Sequence, residues 1–156
     1  MIAVPSFKGV IASNQLQGAR DSLRSAIQYA KGEAVARNRP VSICPSADGS
    51  TCGDNSNWVD GWIVVSDDKQ AGSVSVNTLL RVIEGPKVTA VTLTGGGSLD
   101  YLRFLPDGLA DVPASAPATS VFGICDPDGD VSPYSLLVIT RTGSISTGTE
   151  AQANCP

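Results

Sequence analysis

The sequence predicts an α+β domain in which one N-terminal α-helix packs against an antiparallel β-sheet. Apolar residues recur at helical intervals before Pro40, and the rest of the chain reads as short alternating segments between turn-forming clusters. The 156 residues include 16 glycines and 10 prolines, which suits a sheet-rich chain with many turns. A chain of this length forms a single domain. We divide it into an apolar start (1–12), an amphipathic helix (13–39) and a β-rich head (40–156).

The helix is predicted from about Ser13 to Asn38. Its apolar residues are three or four positions apart, which places them on one side of a helix. They are Leu16, Ala19, Leu23, Ile27, Ala30 and Ala34. The same stripe continues upstream through Phe7 and Ile11. Pro40 ends the helix, because the residue before a proline is driven towards extended geometry.

Short strands are predicted after Pro40 from alternating apolar positions and β-branched residues. They are Val41–Cys44, Gly61–Val65, Leu79–Glu84, Lys87–Leu93, Leu99–Phe104, Val121–Cys125, Tyr134–Thr140 and Ser144–Thr147. Arg141, Thr142 and Gly143 predict a hairpin turn between the last two of these strands. A helix laid across the sheet buries the apolar faces of both, which defines the layered α+β architecture.

The composition argues against enzymatic and metal-dependent functions. Histidine is absent, although it is the commonest general acid or base at neutral pH and a preferred zinc ligand. The formal net charge is −4 and charged residues make up 17% of the chain, whereas nucleic-acid binding depends on clustered lysine and arginine. We therefore expect no enzymatic activity, no cofactor and no metal, and the composition does not favour nucleic acid as a partner.

The cysteines indicate two disulfides in an exported domain, because disulfides persist in oxidising compartments. The 4 cysteines allow three pairings, and the sequence does not decide among them. We favour Cys44–Cys52 and Cys125–Cys155, each of which joins neighbours in sequence. Trp58 lies in a polar loop beside Cys52 and is predicted to pack on a disulfide, whereas Trp62 is predicted to lie in the core.

Residues 1–12 begin with an apolar run that Lys8 interrupts. We expect this run to be the end of a longer hydrophobic segment. On its own it is far shorter than the roughly 20 apolar residues of a membrane span. A native, slightly apolar N-terminus is the alternative interpretation.

Characteristic local motifs follow one another along the chain. They are Ala3–Phe7 (AVPSF), Glu33–Val41 (EAVARNRPV), Cys44–Gly49 (CPSADG), Gly61–Val64 (GWIV) and Leu102–Gly108 (LRFLPDG). In this order and spacing they resemble the FimT/FimU/GspH group of type IV pilin-like minor subunits. Each motif alone is weakly specific, and the resemblance depends on their combination.

The resemblance implies a type IV pilin-like fold from which the transmembrane half of the helix is missing. It implies a structural protein that is anchored in the inner membrane through that missing half, with a periplasmic domain that later enters the pilus. The implied partners are other minor pilins and the major pilin. The specific expectation is a minor pilin that takes part in initiating type IV pilus assembly, and thereby in twitching motility.

Subunit contacts are expected along the apolar stripe of the helix. The residues that we assign to subunit packing are Phe7, Ile11, Leu16, Leu23, Ile27 and Ala30. Some of them cover the chain's own sheet, and those nearer Phe7 and Ile11 contact neighbouring subunits. A helix with such a stripe leaves the membrane only by exchanging lipid for neighbouring helices.

Two other functions share these sequence features. The first is a GspH-like pseudopilin at the tip of a type II secretion pseudopilus. The second is a DNA-binding minor pilin, because DNA-binding relatives carry Gly-Arg-x-Arg in the last hairpin. Here serine stands at both arginine positions, Ser144 and Ser146, and Arg37, Arg39 and Arg141 remain as a candidate DNA-binding patch.

A calcium site is a further alternative at Asp126, Asp128 and Asp130, because alternating carboxylates suit a hard cation. The spacing departs from that of an EF-hand loop, since Leu137 stands where the bidentate glutamate would be. A polar turn between two strands explains the same residues.

Overall fold

The structure, a computed structural model, describes residues 5–53, 58–68, 73–86, 92–95, 100–111, 119–125 and 134–150. Within these ranges one helix precedes all the strands, so that helix and strands are segregated along the chain as in the α+β class. The helix is α1 (Pro5–Arg37), which is 33 residues long. The strands are β1 (Val41–Pro45), β2 (Gly61–Ser66), β3 (Thr78–Glu84), β4 (Thr92–Gly95), β5 (Leu102–Phe104), β6 (Thr119–Cys125), β7 (Tyr134–Thr140) and β8 (Ile145–Glu150).

α1 ends in a hydrogen-bonded turn that its sequence specifies. The Asn38 N–H donates to the Val35 carbonyl and the Arg39 N–H donates to the Ala34 carbonyl, both at 3.3 Å. This is the Schellman pattern, in which the residue after the helix is left-handed. Asn38 has a φ of 52°, a region that asparagine tolerates better than most residues with a side chain. Pro40 follows and excludes another helical turn, as predicted.

The first sheet, sheet A, has the strand order β3-β2-β1-β5, and its neighbouring strands are antiparallel. β1 and β2 pair from Val41 opposite Ser66 to Pro45 opposite Trp62. Every residue of β1, β2 and β5 is buried, which shows that sheet A is covered on both faces. β3 lies at the edge and is largely exposed.

The second sheet, sheet B, has the order β4-β6-β7-β8 and is also antiparallel. β7 and β8 form the predicted hairpin, in which the Gly143 N–H donates to the Thr140 carbonyl at 2.8 Å. Gly143 has a φ of 71°, and a side chain there would collide with the Gly108 carbonyl. The predicted strands are thus divided between two sheets that share one helix.

The main core lies between α1 and the inner faces of both sheets. The buried helix residues follow the helical period and lie on one side of α1; they are Leu16, Ala19, Leu23, Ala26, Ile27, Ala30 and Ala34. Sheet A adds Ile43 and Val64, and sheet B adds Phe122 and Leu137, among others. Because most of the helix residues are alanine, the helix backbone approaches the strands closely.

A second, smaller cluster covers the outer face of sheet A, which is the face turned away from α1. Cys44, Ile63 and Val65 form it, with Val74 and Tyr101 packed against them. These residues alternate along β1 and β2 with those that face the helix, as the pleat of a strand requires. Sheet A is therefore the middle layer of this half of the domain.

A buried ion pair lies on the same outer face. Arg103 of β5 is 1% exposed and Asp67, which follows β2, is 0% exposed; Arg103 Nε donates to Asp67 Oδ2 at 2.6 Å. That carboxylate also accepts from the Ser42 hydroxyl at 2.7 Å and from the Ser75 N–H at 3.1 Å. Arg103 donates in addition to the Ser73 carbonyl at 2.5 Å. Such hydrogen bonds are what make buried charges tolerable.

Replacing Arg103 is expected to destabilise the domain strongly. The Arg103→Met variant leaves the Asp67 carboxylate buried without its cation, at a cost of about 3–5 kcal/mol in the free energy of unfolding. Arg103 lies over the ring of Tyr101, at 4.9 Å from its centroid. The matched control is Arg81→Met, because Arg81 lies in the same way over Tyr29, at 5.3 Å, but belongs to the exposed edge strand β3. The free energy of unfolding of Arg81→Met should fall by no more than about 1 kcal/mol. Urea unfolding measures both, and equal losses would contradict this interpretation of the ion pair.

Candidate functional site

The N-terminal part of α1 carries apolar surface that the described part of the chain leaves uncovered. Ala12 is the first helix residue with a described and buried side chain, at 5% exposure. Immediately before it, Val10 and Ile11 are 56% and 54% exposed. Adjacent exposed apolar side chains at the end of a helix indicate a contact surface. The side chain of Phe7, which was predicted to belong to this surface, lies outside the described residues.

Most of the other predicted subunit-packing residues lie in the core of the domain itself. Leu16 is 4% exposed, and Leu23, Ile27 and Ala30 are 0% exposed. All of them belong to the main core between α1 and the two sheets. These residues are the part of the stripe that covers the chain's own sheets, because helical periodicity identifies an apolar face without identifying what covers it. The assignment of Phe7 and Ile11 to subunit packing stays a prediction.

The C-terminal half of α1 lies beside the β7–β8 hairpin. Lys31 Nζ donates to the Gly143 carbonyl at 2.9 Å, which connects the helix to the turn. An open groove of about 590 Å³ adjoins this contact, with Val35 and Ala36 on one side and Ile145 on the other. Val35 is 53% exposed. This groove is a second apolar area on the helix, remote in sequence from Val10 and Ile11.

The arginines of the candidate DNA-binding patch lie at this end of the domain. Arg37 is ion-paired with Glu33 one turn earlier, and its hydrogen bond to Glu33 raises the pKa of Arg37. Arg39 is exposed after the helix end, and Arg141 is exposed in the β7–β8 turn beside the same half of the helix. Glu33 offsets one of the positive charges, which weakens the case for phosphate contacts.

A smaller pocket, which we name the Trp62 pocket, lies between α1 and the neighbouring strands of sheet A. It has a volume of about 240 Å³. The helix contributes Gln15, Gly18, Ala19 and Ser22. Gly18 and Ser22 are one helical turn apart, and this pair of small residues on the helix is the sequence signal that could have indicated the pocket.

The opposite wall of the Trp62 pocket consists of Trp62, Glu84 and Pro86. Trp62 is 1% exposed, as predicted for a core residue. Its indole Nε1 is buried and has no hydrogen-bond acceptor, and no other buried side-chain polar atom of the described residues shares this condition. Buried donors without an acceptor are rare in native proteins.

Trp58 packs on an aromatic ring of sheet B. It is fully buried in the main core, where its ring meets that of Phe122 edge to face at 4.9 Å between centroids. The Cys44–Cys52 disulfide belongs to the separate cluster on the outer face of sheet A. Trp58 therefore does not belong to the cluster that contains the Cys44–Cys52 disulfide.

The Cys44–Cys52 disulfide is present and closes the loop after β1. Inside this loop the Asp48 carboxylate accepts from the backbone N–H groups of Thr51 and Ser50, each at 2.8 Å. These hydrogen bonds, with that of Thr51 the stronger influence, hold the pKa of Asp48 well below its usual range. Cys125 is also disulfide-bonded, and its predicted partner Cys155 lies outside the described residues.

Neither a metal centre nor a membrane span is found in the part of the chain that the structure describes. No three potential metal ligands come together there, and Asp126, Asp128 and Asp130 of the calcium alternative lie outside those residues. No helix in the same part combines the length and the apolar character that a bilayer crossing demands.

One long helix laid against antiparallel sheets, with apolar side chains exposed near its N-terminal end, defines a subunit with the type IV pilin fold. Two crystal forms of the minor pilin FimU from Pseudomonas aeruginosa are similar to this chain. The first has 27% identity and a TM-score of 0.67, covering 92% of this chain and 94% of FimU. The second has 27% identity and a TM-score of 0.63, covering 90% and 96%.

The minor pseudopilin EpsH from the type 2 secretion system of Vibrio cholerae shares the fold. It is 12% identical, with a TM-score of 0.52, over 84% of this chain and 96% of EpsH. Residues 19–143 match the family model of the type II transport protein GspH, and the chain therefore belongs to the GspH family. Its family and fold are those of structural pilins and pseudopilins. A search of curated protein sequences found no significant match.

The Asp48 hydrogen bonds predict a specific acid sensitivity. Because folding lowers the pKa of Asp48, its ionised form stabilises the native state above its ordinary pKa of about 3.9. This contribution is lost as the pH falls below that value towards the folded pKa. The unfolding midpoint of Asp48→Ala should therefore be lower than that of the wild type at pH 6, and the difference should shrink by pH 2. Asp48→Asn is the control, because it retains an acceptor oxygen but not the negative charge. If the unfolding midpoints of Asp48→Ala and the wild type differ by the same amount at pH 6 and pH 2, the assignment to the ionised carboxylate is contradicted.

Proposed function

We propose that this protein is a minor pilin that takes part in initiating type IV pilus assembly. The main support for the proposal is that this chain is more similar to a minor pilin of the type IV pilus than to a pseudopilin of the type 2 secretion system. Similarity to the minor pilin FimU is greater than similarity to the pseudopilin EpsH in identity (27% against 12%), in TM-score (0.67 against 0.52) and in the share of this chain covered (92% against 84%). The partners of such a subunit are other minor pilins and the major pilin.

The exposed end of α1 supports a role in assembly. Val10 and Ile11 present apolar surface on the side of the head where the helix continues towards Pro5. Burying such surface against a neighbouring subunit is favourable, at about 25 cal/mol per Å². We propose that a hydrophobic helix half precedes this segment, anchors the subunit in the inner membrane with its head in the periplasm, and then enters the filament.

A type II secretion pseudopilin is the second candidate, because the matching family model is that of the type II transport protein GspH. A strain from which the gene has been deleted separates the two functions. A pilus subunit predicts loss of surface pili and of twitching motility while protein secretion is unaffected. A secretion defect with normal pili would overturn the pilus assignment in favour of the pseudopilus.

Ile11→Ser is expected to weaken association with other pilin subunits without unfolding the protein. Ile11 is 54% exposed, and its free energy of unfolding should change by no more than about 0.5 kcal/mol. Recovery of other minor pilins with the tagged full-length protein should fall about tenfold, since a buried isoleucine contributes roughly 1.5–3 kcal/mol.

Val35→Ser is the matched control for this experiment. Val35 is 53% exposed on the same helix but lies beside the β7–β8 hairpin. Its recovery of partner subunits should equal that of the wild type. If both variants bind partners normally, the N-terminal end of α1 is not the contact surface; if the wild type itself recovers no other pilin, the assembly role fails.

A further inference from the structure

The Trp62 pocket contains a buried hydrogen-bond donor that nothing in the described chain satisfies. Trp62 is 1% exposed, and its Nε1 is without an acceptor. Leaving a donor buried and unpaired is costly, whereas an acceptor supplied from outside the chain would remove that cost. Trp62 itself lines the pocket, so the ring that carries this donor borders a space that an outside residue can enter.

The size of the pocket favours an inserted side chain over a separate small molecule. Its volume of about 240 Å³ is smaller than the roughly 300–1,000 Å³ of typical ligand sites. A Cβ atom placed on Gly18 would meet nothing within 4 Å, so the helix surface is open at this position. With Ser22 one turn later, small residues let another polypeptide approach the helix closely.

The lining defines the chemistry of the occupant. Trp62, Ala19 and Pro86 provide apolar surface for a short stem, while the Trp62 N–H requires an acceptor. Glu84 belongs to the same lining, and its negative charge disfavours an acidic occupant. A lysine would suit Glu84 but has no acceptor atom for the indole, whereas the carboxamide of asparagine or glutamine both accepts and donates.

The position of the pocket indicates where this side chain comes from. Ile11, Gln15, Gly18 and Ser22 succeed one another at steps of four, three and four residues, which places them on one side of α1. The pocket therefore lies on the same side of α1 as the exposed side chain of Ile11, about two helical turns further along. A neighbour that extends along this side of the helix from Ile11 would meet the Trp62 pocket.

We propose that the Trp62 pocket is a socket in which a neighbouring pilin-fold subunit inserts an asparagine or glutamine side chain, whose carbonyl accepts a hydrogen bond from Trp62 Nε1. This inference rests on the proposed assembly function. It adds a specific polar contact beside the exposed apolar residues Val10 and Ile11, and so provides a means of selecting one subunit among several with similar helices.

Filling the socket tests the proposal. Gly18→Leu is compared with Gly32→Leu in the tagged full-length protein, because both glycines lie in α1 and a Cβ on either would meet nothing within 4 Å. Both variants should fold and unfold at or above the wild-type temperature, since leucine is the better helix former. Recovery of other pilin subunits should fall at least about tenfold for Gly18→Leu and remain unchanged for Gly32→Leu.

Removing only the donor is the second arm. Trp62→benzothienylalanine keeps the bicyclic ring but lacks the N–H, so thermal stability should be retained while recovery of the partner falls about two- to tenfold. Asn14→benzoylphenylalanine places a photo-cross-linker on the exposed residue next to Gln15. The partner segment that it captures should come from another pilin subunit and contain asparagine or glutamine.

The outcomes separate the socket from the function on which it rests. If the wild type recovers partner subunits and Gly18→Leu recovers them equally well, the socket is overturned and the assembly role stands. Three other outcomes would also overturn the socket. One is an equal loss of partner recovery in Gly18→Leu and Gly32→Leu, and another is an unchanged partner recovery in the Trp62→benzothienylalanine variant. The third is a cross-linked segment that contains neither asparagine nor glutamine. If the wild type recovers no pilin subunit, both proposals fail together.

Discussion

The packing of α1 against two sheets at once is the constraint on which the rest of the structure depends. Sheets A and B share no strand, and the side chains of the helix connect their inner faces into one core. Alanine at positions 19, 26, 30 and 34 lets the strands approach the helix backbone. The apolar residues of α1 from Leu16 to Ala34 are buried against the chain's own sheets, and few apolar side chains of the helix remain there for contact with another subunit. The apolar side chains that α1 leaves exposed are consequently near its N-terminal end, at Val10 and Ile11, and beside the β7–β8 hairpin, at Val35.

Sheet A is enclosed on both faces, and its polar groups are arranged accordingly. Its helix side is apolar, while its outer side combines a small apolar cluster with the Arg103–Asp67 pair. Because β1 and β2 are buried throughout, polar groups on the outer side must find partners within the chain, and Ser42 and Ser75 supply hydrogen bonds to the same carboxylate. The ion pair thereby fixes the segment after β2 over the sheet. Trp62 Nε1, on the other side, is the exception to this rule within the described residues.

Periodicity and turn chemistry were sufficient to predict the class of fold from the sequence. The helix end was predictable because Asn38 and Pro40 act locally, and the β7–β8 hairpin because Gly143 is required by the turn itself. The division into two sheets was not predictable, since it depends on pairings between distant strands such as β1 with β5. For the same reason the sequence did not show which residues of the α1 stripe cover the chain's own sheets. The alternation of Leu102, Arg103 and Phe104 indicates that Arg103 lies on the opposite face of its strand from its two neighbours. Only the fold shows that Asp67 is its partner on that face.

The entry of the chain from α1 into sheet A has a mechanical consequence. After the helix, only Asn38, Arg39 and Pro40 precede β1, which is paired with β2 on one side and with β5 on the other. Tension applied to the helix is therefore delivered lengthwise to a strand held along both edges, so that many hydrogen bonds must yield together before the head opens. The Cys44–Cys52 disulfide lies at the far end of this strand and limits how far it can slide. A subunit that is pulled by its helix would thus resist extension through its most interior strand.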